Sequence, residues 1–255
     1  VLVIPPLILG AALVMLWQAW VVLRDIEPYL MPSPSAIWAE LRRQWSNVWE
    51  ATKASGANAL IGLVAGTVLG VVAALIASRF RFLRDLLLPL AAAFNVIPIV
   101  AAAPILANGI SNTSELPRRL IVSITVFFPI FINTLKGLTQ IDPTQSELMR
   151  ALAASPTGVL RKVRVPNSLS YFFTGLKIAS ASAVIAAIVA EYFGGPQGGL
   201  GSRISSNAAQ TKTAQAWAYV VAACVLGLIF YISTLVLERV ALPWRAARER
   251  SLASR

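Results

Sequence analysis

The 255-residue chain has no histidine and a single cysteine, Cys224, and only 13% of its residues are charged. Without histidine it lacks the usual imidazole acid–base group, and with one cysteine it has neither a His/Cys zinc site nor a disulfide framework. The charged share is about half that of ordinary soluble domains. Apolar residues make up 57%, and adding the 15 glycines gives about 63%, against roughly 45–50% counted that way in soluble domains. So many apolar side chains cannot be hidden behind so few charges in a soluble fold of this length. The composition is that of a membrane protein, and it excludes disorder. No G-x-x-x-x-G-K-[ST] segment occurs, so the chain carries no such phosphate-cradling loop of its own.

The gaps between charges set out the spans, each of which needs about 20 apolar residues to cross the hydrocarbon layer. Uncharged or nearly uncharged stretches are Val1–Leu23, Ala54–Ser78, Leu86–Ser114, Leu120–Leu135, Lys177–Phe193 and Thr213–Leu237. They predict six helices in one domain over 1–255, at about 3–23, 55–78, 86–107, 118–136, 172–193 and 214–237. No basic segment precedes the first and no small-residue cleavage site follows it, so it reads as a retained helix rather than a leader. With Val at position 1, a few preceding residues are expected to be missing. Gly62, Gly66 and Gly70, at four-residue spacing, predict close helix–helix approach. Pro89, Pro98 and Pro104 predict a kinked third helix ending near Asn108.

The net charge is +11. Placing both termini inside puts 13 of the 22 Lys and Arg in the inner segments 79–85, 136–168 and 238–255, and 8 in the outer ones. That is the positive-inside bias, and it accounts for the basic surplus with no nucleic acid. In the first outer loop Ser33-Pro34 reads as a helix start, and Ile37, Trp38, Leu41, Trp45, Val48 and Trp49 recur at helical spacing. These residues either rest at the membrane interface or contact a ligand, and the interfacial helix is the commoner device.

The long polar insertion 139–168 stands out among otherwise short connections. Asp142-Pro143 opens a helix-like run through Ala154, Ser155-Pro156-Thr157-Gly158 forms a turn, and a second basic stretch, Val159–Val165, ends at Pro166. Such a helix–turn–helix lying against a membrane is a docking surface or a plain solvated loop. Within the spans Glu191 is read as the only embedded carboxylate, and Cys224 as buried. Glu191 either meets the backbone amides of the Gly-rich loop 194–201 or contacts solute. Asn95, Asn133, Ser180 and Ser182 either face a path or hydrogen-bond between helices. Pro98, Pro104 and Pro129 break helix ladders where helices pack or line a cavity.

The insertion resembles the coupling loop of ABC-transporter permeases, the binding-protein-dependent inner-membrane components. Their signature runs E-A-A, three residues, G, nine residues, I-x-L-P. Glu147 takes the E, Ala153 the G, Val163 the I, Val165 the L and Pro166 the P, while Leu148 and Met149 replace the two alanines. Leu30-Met31-Pro32-Ser33-Pro34 is similar to the L-P-S-P segment of permeases for nitrate, sulfonates, taurine and pyrimidine-type compounds. Further matches in order are Ile97–Pro104, Phe127–Thr134, Gly175-Leu176-Lys177, Ala190–Phe193 and Gly199-Leu200-Gly201.

The resemblance implies an all-α, type I permease fold whose loop docks on a separate ABC ATPase. ATP and Mg would be bound there, with no cofactor on this chain. The other implied partners are a second permease copy, forming a homodimer, an extracytoplasmic substrate-binding protein and membrane lipid. The docking residues it implies are Glu147, Arg150, Ala153, Ala154, Ser155, Gly158, Arg161 and Pro166; Arg161, Lys162 and Arg164 reach either ATPase carboxylates or lipid headgroups. The implied path or gate residues are Asn95, Pro98, Pro104, Pro129, Asn133, Ser180, Ser182 and Glu191. Asn95-Val96-Ile97-Pro98 and Ser114–Arg119 lean towards the pyrimidine/riboflavin-type branch. An ion-coupled secondary transporter is the rival, but it ordinarily uses several buried ionisable groups and paired repeats.

Overall fold

The computed structural model describes residues 4–96, 103–110, 114–193 and 197–243, and among them every regular element is helical. The helices are α1 (Ile4–Leu23), α2 (Pro34–Arg43), α3 (Trp45–Arg79), α4 (Arg81–Val96), α5 (Ala103–Ile110), α6 (Leu116–Thr139) and α7 (Pro143–Ala151). Then come α8 (Pro156–Val159), a π turn (Leu160–Arg164), α9 (Val165–Tyr192), α10 (Leu200–Ala209) and α11 (Thr213–Ala241).

Five stretches among the described residues are long and apolar enough to cross a membrane: α1, α3, α6, Pro156–Tyr192 and α11. The expected third span over 86–107 is represented by α4, of 16 residues, and α5, of 8, neither of which reaches spanning length alone. Pro89 sits inside α4 without ending it. The side chain of Asn95, and Pro98 altogether, lie outside the described residues.

The centre of the bundle is α3, α6 and α9. The face that α3 turns inward carries Ala51, Ser55, Ala59, Gly62, Gly66, Gly70, Ala74 and Ala77. Val122, Val126 and Ile130 of α6 occupy the space the three glycines leave. A Cβ on Gly62 would overlap Val122, one on Gly66 would overlap the Ser123 carbonyl, and one on Gly70 would lie 2.9 Å from Ile130. With lipid outside, there is little hydrophobic drive between helices. Such close backbone approach, with its dispersion contacts, supplies the association. By contrast α1 exposes nearly its whole length and buries only Val21. Apolar residues exposed that way suit a lipid boundary.

Three sequence expectations change. The stripe Ile37–Trp49 is not one interfacial helix: it breaks at Gln44, with Ile37 and Leu41 buried on α2 and Val48 buried in the first turn of α3. Ser33 caps α2, its Oγ accepting the Ala36 N–H at 3.3 Å, while Trp38 stays exposed under Arg42. Cys224 is exposed on α11 rather than buried. Glu191 is not alone, because α11 continues past Leu237 and Glu238 pairs with Lys177 of α9 at 2.8 Å.

Candidate functional site

α3 and α9 run in opposite directions relative to the loop between α6 and α9, so chemistry-bearing residues gather at two ends of the bundle. One end is the loop. Asp142 caps α7 by accepting the Thr144 N–H at 2.8 Å, with Pro143 at the first helical position, where no donor is needed. Nothing on α7 is buried, and Glu147, Leu148 and Leu152 are exposed. The helix closes through Ala153 N–H donating to Arg150 O at 2.9 Å and Ala154 N–H to Met149 O at 3.0 Å. Those two bonds are the Schellman closure, and Ala153 occupies its left-handed position with φ of +46°. The helical run therefore stops at Ala151 rather than Ala154, and Ala153 stands where the geometry favours glycine.

Ser155 then caps α8, accepting the Gly158 N–H at 3.2 Å. The second basic stretch does not end at Pro166. It runs into α9 through the π turn, where Val165 N–H donates to Leu160 O. Pro166 has no N–H to give, and its place in the first turn of α9, where the ladder changes register, leaves the helix continuous. Arg161 is exposed in the π turn. Asn167 ties the two feet of the loop, its Nδ2 donating to Gly137 O at 2.8 Å and Gln140 O at 2.9 Å. Beside it a Cβ on Gly137 would lie 2.6 Å from Ser168 Cα, so α6 and α9 touch there by backbone.

The other end holds Glu191, which is 1% exposed. Its Oε2 accepts from Ser55 Oγ at 2.6 Å and from Gly201 N–H at 3.1 Å. Ser55 Oγ in turn accepts the Leu200 N–H at 2.8 Å. The first turn of α10 thus finds acceptors for two backbone donors on α9 and α3, where a carboxylate also suits the helix dipole. A Cβ on Gly199 would overlap the Glu191 carboxyl group, and one on Gly201 the Ile188 carbonyl. Glu191 thus meets one amide of the Gly-rich segment, that of Gly201, in line with the first of the two roles the sequence left open. Its Oε1 is buried without a hydrogen-bond partner.

A second network lies close by, built from residues that the sequence pattern does not single out. Asn58, one helical turn after Ser55, donates Nδ2 to Glu115 Oε2 at 2.8 Å and accepts from Arg119 Nε at 3.0 Å. Arg118 Nη1 donates to the same Glu115 oxygen at 2.9 Å and is 3% exposed. The signal was available: Ser55 and Asn58 extend the small-residue stripe of Gly62, Gly66 and Gly70 towards the helix start.

Among the described residues, the remaining expected path residues are not brought together at one place. Asn133 Nδ2 donates to Pro129 O at 2.8 Å within α6, against Gly175 of α9. Ser180 donates to Lys177 O at 3.0 Å and lies 3.4 Å from Thr234 Oγ1 of α11, an interhelical contact. Ser182 and Pro104 are half-buried.

The described residues thus form a bundle of long apolar helices packed through small residues, with an exposed helix capped at both ends on the loop between α6 and α9. Residues 66–243 match the family described as binding-protein-dependent transport system inner membrane component, and the chain belongs to that family. A probable ABC transporter permease protein of Haemophilus influenzae is 30% identical over 195 residues, covering 76% of this chain and 78% of the relative. The formylaminopyrimidine transport permease protein ThiX of Halalkalibacterium halodurans is 31% identical over 222 residues, 86% of this chain and 87% of its own. The riboflavin transport system permease protein RibX of Chloroflexus aurantiacus is 28% identical over 239 residues, 92% and 88% of the two chains. The chain is thus a multi-pass ABC permease of the inner membrane, and hydrolysis of ATP belongs to a separate subunit.

Proposed function

We propose that two copies of this chain form the membrane path of an ATP-driven importer, each with six spans and both termini cytoplasmic. The loop 139–168 docks on the ATPase, which holds ATP and Mg, and this chain binds no cofactor. A binding protein delivers a small anionic or heterocyclic solute to the opposite face. Two of the relatives are named for formylaminopyrimidine and riboflavin, which favours a heterocycle of that type.

The observation that carries this reading is the construction of the loop. α7 is capped at both ends, buries nothing in its own chain, and offers Glu147, Leu148 and Leu152 outward. Its feet are stapled by Asn167 to α6 and α9, the pair whose backbones meet at Gly137 and Gly175. A push on α7 therefore reaches the centre of the bundle through rigid contacts. Arg150, Ala153, Ala154, Ser155, Gly158, Arg161 and Pro166 serve by shaping or flanking that helix. At the outer end, Glu191 holds α10 and tunes a gate without carrying a proton. Pro129, Asn133, Ser180 and Ser182 act in helix packing, beside a path towards which Asn95, Pro98 and Pro104 contribute.

The test is Glu147→Lys. The variant should insert and fold as the wild type does, because exposed substitutions usually cost within about 0.5 kcal/mol. It should lose the ATPase on co-purification, since a like charge at a docked interface costs several kcal/mol. Full retention of the ATPase and of binding-protein-stimulated hydrolysis would contradict the assignment.

A further inference from the structure

Between the docking loop and the end of α3 lies a cleft of about 670 Å³ whose charged lining has one sign. Arg79 from the last turn of α3, Arg150 from α7 and Arg164 from the π turn line it, and no Asp or Glu does. Ser78, Ser146 and Thr157 add hydroxyl groups to the same walls. Among the described residues none of the three arginines has an ion-pair partner. The Nε of Arg164 is itself buried without a hydrogen-bond partner. Arg79 and Arg150 are exposed and Arg164 is half-buried, so three like charges face one open cleft, an arrangement that an anion would complete.

We propose that this cleft binds the phosphate of an acidic phospholipid. Guanidinium forks fit phosphate oxygens two at a time, and the Ser146 and Thr157 hydroxyls can donate to those left over, while the Ser78 hydroxyl already donates to Leu75 O at 2.7 Å. The occupant is a lipid rather than a soluble anion because of what leads away from the cleft. On α3, Arg79, Leu75, Val72 and Val68 follow one another at four- and three-residue spacing, so they share one face. Leu75, Val72 and Val68 are 42%, 48% and 55% exposed. A headgroup held at Arg79 therefore has an apolar strip of spanning helix beneath it for its acyl chains. The outward residues of α7 proposed to meet the ATPase, Glu147, Leu148 and Leu152, do not line the cleft. The ATPase seat and the lipid seat are two faces of the same loop, so an anionic lipid would brace α7 against α3 from behind. Only the assignment to the inner leaflet rests on the proposed cytoplasmic placement of the loop.

The experiment is native mass spectrometry of the purified full-length permease, exchanged into detergent with equal phosphatidylglycerol and phosphatidylcholine of matched acyl chains. The wild type should retain phosphatidylglycerol over phosphatidylcholine by about ten-fold, as expected for several arginines near one headgroup. R79Q and R164Q should each reduce that preference, and R79Q/R164Q should abolish it. E147K, on the other face, should keep it even if ATPase docking is lost. A wild type with no preference, or a preference unchanged in the double variant and in both singles, overturns the proposal. So does stabilisation by inorganic phosphate alone that matches phosphatidylglycerol, which would assign the cleft to a soluble anion. Loss of ATPase co-purification in R79Q/R164Q with lipid retention intact would make the cleft part of the ATPase seat and equally overturn it.

Discussion

Ser55 and Glu191 stand 136 positions apart in the chain, yet the serine hydroxyl donates to the carboxylate at 2.6 Å and takes the Leu200 N–H in return. One hydroxyl thereby joins α3, α9 and the start of α10. Removing it should cost more than one bond, because Ser55→Ala strands the Leu200 N–H in a buried site. An unmet buried donor costs about 1–3 kcal/mol. Thermal unfolding in detergent should show Ser55→Ala clearly less stable than Ser206→Ala, a half-buried control on α10 whose hydroxyl meets only the Arg203 carbonyl.

Glu191→Gln separates a structural carboxylate from a proton carrier. The glutamine oxygen can accept from Ser55 and Gly201, so ATP-driven uptake should persist at reduced stability, while Glu191→Ala should lose both acceptors and be worse. Wild-type uptake at constant ATP should also withstand an uncoupler. Collapse under the uncoupler would favour ion coupling.

Gly201→Ala should be more damaging than Gly158→Ala. The added Cβ on Gly201 meets the Ile188 carbonyl, which is backbone and cannot swing away, whereas at Gly158 it meets the Ser155 hydroxyl at 3.2 Å. Overpacking costs of about 1–3 kcal/mol are expected at Gly201, measurable as a drop in the melting temperature and in folded yield.

Ala153→Gly should stabilise the loop. Helix propensity alone would make the change unfavourable by up to about 1 kcal/mol. At a left-handed position the balance reverses, since a Cβ there costs roughly 1–2 kcal/mol. Hydrogen exchange at the Ala153 and Ala154 amides, which close α7, should slow in Ala153→Gly and quicken in Ala153→Val.

What was legible in the chain was what repeats locally. The stripe Gly62, Gly66, Gly70 announced a close helix contact without naming its partner, Asp142-Pro143 announced a helix start, and charge gaps announced the long spans. What was hidden depended on distant residues or on backbone geometry. Asn58 meets Glu115 and Arg119 only because α3 and α6 pack. Glu238 looked like a loop residue until Lys177 gave it a partner inside the helical bundle. Ala153 read as helix, as alanine usually does, and Pro166 read as a stop because a π turn that accommodates proline has no composition of its own. Of the two roles the sequence left open for Glu191, contact with the Gly-rich segment is the local one, ten residues along the chain, and the Gly201 N–H makes it.

The central claim is that the outward face of α7 meets the ATPase, and a photo-crosslinker at Leu148, 58% exposed on that face, tests it most directly. Irradiating membranes that contain the assembled transporter should join this chain to the ATPase from position 148. A probe at Ile229, 53% exposed on α11, should capture no ATPase. Equal capture at both positions, or capture at neither while the complex remains intact, would contradict the account.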